Sequence, residues 1–423
     1  MRIKQLLVFM SFQLLLWNTT TAFAQKLPEK FGFHFKGRFQ KTSKIPFEVY
    51  SNLIVIKLKI NGSDSLNFIL DTGVSSIIIT DPTLAKTLNL DFVRTVKITG
   101  AGEKNGINAN VSINHEVDLG FVRAYHQNLV VLDEDILKLS EYMGIPIHGI
   151  FGHDLFSRFV IKVDFAKRIL TLKEPTKYKY RKSQGERYPI VVTQSKPYMD
   201  DVAFAQDSNP FKPLRLVIDT GAGHALLLNS QENTNIQLPD KVIRANLGRG
   251  LNGNINGNIG RISKIKIGKY EFNEVLASFP DSLSFSIKFD TTESLVRQGS
   301  IGGEFLRRFV ITFNYRDSYI VLKPIKSKYR ETFEHDMSGM EIRAAGQYFD
   351  EFQVTFVSPG SQADKAGVIV GDQIVFFNNK HFKEININDI YRKLSSKEGS
   401  EVELFVRRNN ELKFIYFKLK RVI

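Results

Sequence analysis

Two short stretches decide the fold: Phe68-Ile69-Leu70-Asp71-Thr72-Gly73 and Leu216-Val217-Ile218-Asp219-Thr220-Gly221. In each stretch, three apolar residues predict a buried strand, and Asp-Thr-Gly predicts a tight turn at its end. One copy alone would be weak evidence, because Asp, Thr and Gly are ordinary turn residues. Two copies can bring two carboxyl groups together. At contact distance both cannot ionise, so they share a proton and act as a coupled acid–base pair.

The repeat extends well beyond these two stretches. Gly149–Phe165 aligns without gaps with Gly299–Tyr315, and both segments contain Arg-Phe-Val-Ile. Each half of the chain therefore contains a strand, an Asp-Thr-Gly turn, a long β-rich stretch, an apolar-apolar-Gly turn, a short helical turn and a final strand. Such internal similarity predicts two homologous lobes in one chain.

These motifs carry a family resemblance. The Asp-Thr-Gly strand, followed much later by Ile150-Phe-Gly-His-Asp-Leu155, resembles a retroviral-type (retropepsin-like) aspartic protease lobe, duplicated as in pepsin-like enzymes over roughly residues 45–325. The resemblance implies a mostly β fold with two β-rich lobes around a cleft. It implies that Asp71 and Asp219 are the catalytic pair that holds the attacking water, without a cofactor. It also implies that six residues support the pair through cross-lobe hydrogen bonds, close turns and closing loops: Thr72, Thr220, Gly73, Gly221, Gly152 and Gly302.

The sequence departs from the pepsin pattern directly after each Asp-Thr-Gly. Pepsin-like enzymes usually carry Ser or Thr there, with a hydroxyl bonded to the catalytic carboxylate, whereas this chain has Val74 and Ala222. Loss of a donor to the ionised form raises the pKa of a carboxyl group. We therefore expect a pH optimum that is less acidic than that of pepsin.

Two glycine-bearing segments, Thr99–Gly106 and Gly248–Gly260, lie between the Asp-Thr-Gly turns and their closing motifs. Their position indicates flap hairpins that fold over substrate and exclude water, with flap positions at Gly100, Gly102, Gly248 and Gly250. The alternative is an ordinary hairpin far from the cleft. The second segment also matches G-x-G-x-x-G. More Gly and Asn follow it instead of a helix, so we reject a dinucleotide site.

A separate module follows Pro324. Ser358–Val368 and Gly371–Val375 resemble segments of a bacterial PDZ domain, over about residues 336–423. PDZ domains bind peptide C-termini beside an exposed strand edge and hold the carboxylate with backbone amides. The resemblance implies a small α+β domain with C-terminal peptide ligands, held by Gly339, Met340, Glu341 and Ile342. We also predict a helix over Asn388–Ser396 with Asn388 as its N-cap. The alternative is a rigid structural domain packed on the lobes.

The N-terminus has the pattern of a secretory signal peptide. Arg2 and Lys4 precede the apolar run Leu6–Trp17, and Ala22-Phe23-Ala24 predicts cleavage before Gln25. The alternative, a membrane anchor, is disfavoured because the run is too short to span a bilayer. The chain contains no cysteine, which favours a bacterial periplasm or exterior. We therefore expect a secreted or periplasmic protein with no integral membrane segment after cleavage.

Other classes of function are disfavoured. The net charge is +14, but Lys and Arg are scattered, except for a cluster over 173–187, so we expect no nucleic-acid partner. The histidines lack metal-ligand spacing, so we expect no metal. His224 follows Asp219 by five residues and could border the cleft, although a structural role is favoured.

The predicted organisation has seven parts: a signal peptide (1–24), an N-terminal segment (25–44), a first lobe (45–175), a basic linker (176–187), a second lobe (188–325), a linker (326–335) and the PDZ domain (336–423). The predicted function is that of an aspartic endopeptidase acting on protein or peptide substrates, with the PDZ domain used for substrate recognition or regulation. The competing hypothesis is a catalytically inert, peptide-binding envelope protein that uses its PDZ domain.

Overall fold

The structure is a computed structural model that describes residues 32–102, 106–230, 236–281 and 297–423. The predicted signal peptide and the first part of the N-terminal segment lie outside these residues. Within the described ranges, no helix combines the length and the apolar character that crossing a membrane requires.

The first lobe is built mainly from strands, because its sequence alternates apolar and polar residues over short runs. Its elements are β1 (Gly32–Phe35), β2 (Thr42–Pro46), β3 (Glu48–Tyr50), β4 (Leu53–Ile60), β5 (Leu66–Asp71), β6 (Ile77–Ile79), α1 (Leu84–Thr87), β7 (Arg94–Ile98), β8 (Ile107–Asp118), β9 (Val122–Leu132), α2 (Leu139–Met143), β10 (Gly149–Gly152), α3 (His153–Arg158), β11 (Val160–Asp164) and β12 (Ile169–Lys173). The main sheet has the order β1-β9-β6-β10-β5-β4-β8-β7, with β3 beside β4.

The second lobe repeats this arrangement. Its elements are β13 (Glu186–Pro189), β14 (Val191–Thr193), β15 (Lys196–Ala205), β16 (Lys212–Ile218), β17 (Leu226–Leu228), β18 (Val242–Gly250), β19 (Gly253–Ile267), β20 (Tyr270–Pro280), β21 (Gly299–Ile301), α4 (Gly303–Leu306), β22 (Phe309–Asn314) and β23 (Tyr319–Pro324). In each lobe, the strand that ends at Asp-Thr-Gly lies parallel to the later apolar-apolar-Gly strand: β5 to β10, and β16 to β21. The two halves are therefore structural repeats, as the sequence predicts.

A third sheet joins the two lobes, with the strand order β13-β23-β22-β11-β12-β2. Its centre is the antiparallel pairing of β11 with β22, in which Ile161 lies opposite Phe313 and Val163 opposite Ile311. The two Arg-Phe-Val-Ile repeats lead into these strands and form their first residues. One hydrophobic core continues through both lobes, so the two lobes are packed together and share buried residues.

The structure moves two predicted boundaries. Strands β1 and β2 pair with β9 and β12, so the described part of the N-terminal segment belongs to the first lobe instead of preceding it. The predicted 326–335 linker begins with a helix, α5 (Lys326–Tyr329), and is packed on the second lobe. There, Phe333 is buried, and the fully buried Arg308 guanidinium lies 3.7 Å from the centre of its ring.

The C-terminal domain has its own sheet and core. Its elements are β24 (Met340–Ala345), β25 (Glu351–Val357), α6 (Gln362–Lys365), β26 (Gln373–Phe377), β27 (Lys380–His381), α7 (Ile387–Leu394), β28 (Glu401–Arg408) and β29 (Glu411–Lys418). The strand order is β24-β25-β26-β28-β29, with β27 beside β26, which makes β24 an edge strand.

The predicted N-cap of α7 was wrong. The cap is Asn386, whose side chain accepts a hydrogen bond from the backbone N–H of Asp389. The Asp389 side chain in turn accepts from the Asn386 backbone, which completes a capping box. Asn388 instead faces the first lobe, where its side-chain oxygen accepts from the backbone N–H of Ser51 at 2.8 Å.

Candidate active site

The two Asp-Thr-Gly turns are joined by a reciprocal set of hydrogen bonds. Thr72 Oγ1 donates to the carbonyl oxygen of Ile218 (2.7 Å) and accepts from the backbone N–H of Thr220 (3.1 Å). Thr220 Oγ1 donates to the carbonyl oxygen of Leu70 (2.8 Å) and accepts from the backbone N–H of Thr72 (3.0 Å). Both threonines are at most 1% exposed. The four bonds therefore hold the turns against each other in a site closed to water, as the resemblance implies.

This arrangement brings the aspartates to the lobe interface. The carboxylates of Asp71 and Asp219 each accept a hydrogen bond from the glycine N–H two residues later, Gly73 at 2.5 Å and Gly221 at 3.0 Å. A Cβ on Gly221 would lie 2.2 Å from Cγ of Asp71. The Asp71 carboxyl group therefore packs across the interface onto the other turn, where only glycine leaves room for it.

The two predicted closing glycines also lie at close approaches. A Cβ on Gly152 would lie 1.8 Å from the carbonyl oxygen of Asp71. A Cβ on Gly302 would lie 2.3 Å from the carbonyl oxygen of His224, three residues after the second turn. The structure thus brings together all eight residues predicted for the pair and its support.

Sequence reasoning missed three ionisable neighbours of the pair, Lys196, Arg297 and Tyr315. Burial and the charge of Arg297 lower the pKa of Lys196, while the carboxylates of Asp219 and Asp71 act in the opposite direction. Burial also lowers the pKa of Arg297, against the effect of Asp219. These residues come from distant strands and carry no local motif, so only the sheet pairing could have identified them.

Two neutral groups complete the surroundings of the pair. Burial raises the pKa of Tyr315 far above its usual range, and both aspartates add to the shift. The Tyr315 hydroxyl has no hydrogen-bond partner among the described residues. Burial lowers the pKa of His224 to about 4. Its Nε2 lies 3.1 Å from Oγ of the buried Ser300, so this imidazole is neutral at higher pH and has a clear structural contact.

Val74 and Ala222 have no side-chain hydroxyl, so only their backbone groups form hydrogen bonds. Their carbonyl oxygens accept from the N–H groups of His153 (3.2 Å) and Gly303 (2.7 Å). A less acidic optimum than that of pepsin therefore stays a prediction based on the missing hydroxyls.

The two predicted flap segments meet each other. The hairpin of β7 and β8 contacts the hairpin of β18 and β19, where the N–H of Asn252 donates to the carbonyl oxygen of Ala101 (2.8 Å) and the N–H of Gly100 donates to Asn252 Oδ1 (3.0 Å). A Cβ on Gly250 would lie 2.2 Å from the Ala101 oxygen. A Cβ on Gly102 would lie 2.4 Å from the Asn252 carbonyl carbon. Gly248, in contrast, faces open space.

The tip of the second hairpin reaches the first lobe. Leu251 packs on an apolar cluster there that includes Val74, the residue after the first Asp-Thr-Gly. The tip contacts therefore connect the two hairpins to the surroundings of Asp71.

Comparison with known families agrees with this geometry. A family model for aspartyl proteases matches residues 56–155 and again 206–305, and a PDZ domain model matches residues 353–408. The chain carries two aspartyl protease domains and a PDZ domain. A search of curated proteins found no match.

The PDZ domain does not leave its predicted carboxylate-binding loop free. The side chain of Asp336 accepts from the backbone N–H groups of Ser338 (3.0 Å) and Gly339 (3.1 Å). The N–H of Met340 donates to Oγ of Ser338 (3.2 Å). The chain itself thus uses two of the amides that we expected to hold a peptide C-terminus: Gly339 bonds the Asp336 carboxylate and Met340 bonds the Ser338 hydroxyl.

The edge of β24 is occupied as well. The Tyr391 hydroxyl, from α7, donates to the carbonyl oxygen of Ile342 and accepts from its N–H, both at 2.9 Å. Met340 and Ile342 are at most 1% exposed. Internal donors and acceptors thus bond the Gly339, Met340 and Ile342 backbone in this structure, and peptide binding by Gly339, Met340, Glu341 and Ile342 stays a prediction.

The first protease lobe covers the same side of the PDZ domain. Helix α2 packs against β24 and α7, and the Arg343 guanidinium lies 3.6 Å from the centre of the Tyr142 ring. A cavity of about 470 Å³ lies beside this contact, and its lining includes α2, the β18–β19 hairpin and the PDZ strands β24 and β25. Among its residues are Arg249 of the hairpin and Glu341 of the PDZ domain.

The described ranges contain no group of three side chains suited to hold a metal ion. The hairpin that carries G-x-G-x-x-G continues as strand β19, without the helix that a dinucleotide site requires.

Replacing Thr72 with Val is expected to destabilise the protein. It removes one hydroxyl and leaves the Ile218 carbonyl and the Thr220 N–H buried without that partner, at a cost of about 1–3 kcal/mol for each group. Calorimetric unfolding should therefore show a clearly lower melting temperature. Thr72→Ser keeps the hydroxyl and is the matched control. Equal stability of the two variants would contradict the role given to these bonds.

Proposed function

We propose that the protein is a secreted or periplasmic aspartic endopeptidase whose catalytic pair is Asp71 and Asp219. The observation that carries the proposal is the reciprocal bonding of Thr72 and Thr220, which leaves both carboxyl groups at the lobe interface. The two aspartyl protease matches support it. The location rests on the signal-peptide pattern of residues 1–24.

The chemistry needs one ionised and one protonated carboxyl group. Water held between Asp71 and Asp219 loses a proton to the ionised carboxylate as it attacks the scissile carbonyl carbon. The protonated carboxyl group donates a hydrogen bond, and then its proton, to the carbonyl oxygen. As the tetrahedral intermediate collapses, the carboxyl group that took the proton from water gives it to the leaving nitrogen and the C–N bond breaks. The hydroxyl formed from the carbonyl oxygen returns its proton to the other carboxylate, so the pair is again singly protonated.

We propose that the two hairpins act as flaps over this pair. Their tips bond to each other through Ala101 and Asn252, and Leu251 packs against the same apolar cluster as Val74. Substrate entry then requires the tips to separate. Closure over a bound peptide excludes water from the site, which strengthens each electrostatic interaction there.

Substituting Asp219 with Asn is expected to abolish cleavage while preserving the fold, because the amide is the same size but cannot take up the proton. A diverse peptide library incubated between pH 3 and 8 should be cut by the wild type. The activity of D219N should be lower by a factor of at least about a thousand. D71N should behave in the same way. Asp240→Asn, at an exposed position of the second lobe, is the control. Substantial turnover by D219N would break the proposal.

We propose a regulatory role for the PDZ domain, not simple capture of substrate C-termini. Asp336 and Tyr391 occupy the groove from within, and Arg343 and Tyr142 hold β24 against α2. The same junction borders the β18–β19 flap hairpin. A partner that displaces the first lobe from β24 would therefore uncover this side of the PDZ domain and free the neighbouring hairpin.

Removing the aromatic ring of Tyr142 tests this role. Tyr142→Ala loses the contact with Arg343, so we expect several-fold faster cleavage of a peptide substrate and higher affinity for C-terminal peptides. Tyr348→Ala removes an exposed ring of the same PDZ domain and is the matched control. Unchanged cleavage and unchanged peptide affinity in Tyr142→Ala would contradict regulation through this contact.

A further inference from the structure

The surroundings of the two aspartates are not symmetric. In the first lobe, β4 pairs with β5 so that Val55 lies opposite Ile69. Continuing the same register by two residues puts Leu53 opposite Asp71. Leu53 is buried in an apolar cluster that also contains Ile147. The first aspartate therefore has an apolar neighbour on the adjacent strand.

The second lobe has a cation at the equivalent position. Strand β15 pairs with β16 so that Tyr198 lies opposite Val217. Continuing this register by two residues puts Lys196 opposite Asp219. Residues opposite each other on paired strands point to the same face of a sheet, so Lys196, Tyr198 and Asp219 share one face. The charged Lys196 of the second lobe therefore takes the place of Leu53 in the first lobe.

The second cation follows the same pattern. Gly149 and Gly299 occupy matching positions of the repeat, so Arg297 corresponds to Ile147 of the first lobe. Arg297 is 9% exposed, and its Nε donates to the carbonyl oxygen of Gly299 at 3.2 Å. Where the first lobe has two apolar residues, the second lobe thus has two cations.

The other groups around Asp219 add no positive charge near neutral pH. Burial lowers the pKa of His224 to about 4, so the imidazole is neutral there. Burial keeps Tyr315 protonated. Among the described residues, Lys196 interacts through its charge with both aspartates, and Arg297 interacts through its charge with Asp219.

We propose that Lys196, supported by Arg297, fixes the negative charge of the pair on Asp219 and the shared proton on Asp71. This inference rests on the proposed function of the pair. A shared proton between identical carboxyl groups has no preferred side, and a cation beside one of them favours ionisation there. Asp219 is then the base that takes the proton from water, and Asp71 is the acid that donates to the scissile carbonyl. Lys196 is a positioning residue, since it acts through Asp219.

The pH dependence of cleavage tests the proposal. Lys196→Met keeps the length of the side chain and removes its charge, so both limbs of the kcat/KM profile should move to higher pH by about one unit. Lys196→Arg restores a positive charge and should return the profile close to that of the wild type. Lys212→Met, at an exposed position of the same sheet, controls for loss of charge in general. A Lys196→Met profile that coincides with that of the wild type would overturn the proposal.

A second measurement separates this proposal from the proposed function, because it does not require cleavage. In D71N only Asp219 of the pair can titrate, and in D219N only Asp71 can. Carbon-13 NMR of labelled aspartate carboxyl groups should show that adding Lys196→Met raises the pKa of Asp219 more than that of Asp71. Equal shifts, or a larger shift at Asp71, would overturn the charge assignment even if the wild type cleaves peptides. The predicted unequal shifts would support it even if no substrate is found.

Discussion

The hydrogen bonds between Thr72 and Thr220 are the constraint on which the rest of the structure depends. The strands before each Asp-Thr-Gly turn end inside the molecule, where unpaired backbone groups are costly. Each threonine hydroxyl satisfies one carbonyl and one N–H of the opposite turn. Only two lobes facing each other can complete this exchange, so the duplication of the chain and the meeting of its carboxyl groups have one physical cause.

The sheet that joins the two lobes, with β11 and β22 at its centre, also holds the two Asp-Thr-Gly turns in their relative positions. Pairing of β11 with β22 continues the relation between the repeats into the shared core. The hairpins that bear Asn52 and Ser195 add contacts in both directions: Asn52 donates to the Gly223 carbonyl oxygen of the other lobe (3.1 Å), and His153 Nδ1 lies 3.1 Å from the Ser195 oxygen. Each lobe thus completes the surroundings of the other lobe's turn.

Motif and repeat were sufficient to predict the two lobes, the aspartate pair with its threonines and glycines, and the C-terminal domain, because each depends on local residue types at a fixed spacing. Lys196 and Arg297 could not be found in this way, since their place depends on strand register and on which face of the sheet they share. The internal bonding of the predicted PDZ site could not be found from the sequence for a related reason. The loop has the expected sequence, but Asp336, just before it, and Tyr391, from a distant helix, satisfy its backbone groups.

Contacts connect the PDZ domain to the two hairpins that we propose to be flaps. The β18–β19 hairpin bonds to the opposite hairpin at its tip and borders the junction with the PDZ domain farther along. At the base of the hairpin, Arg261 donates to the carbonyl oxygen of Phe333 (2.8 Å). Glu334 then forms ion pairs with Arg261 and with Arg421 of the C-terminal domain. Movement of the PDZ domain would act directly on the β18–β19 hairpin, which we propose to be a flap.

The most direct measurement of the central claim is binding of a peptide in which a secondary alcohol replaces the scissile amide. Such a group imitates the tetrahedral intermediate and takes the place of the water between the carboxyl groups. Calorimetry should show that the alcohol binds at least about a hundredfold more tightly than the matched amide peptide. Asp219→Asn should remove this preference. Equal affinity for the two peptides, or an undiminished preference in Asp219→Asn, would contradict an aspartate pair built to hold the transition state.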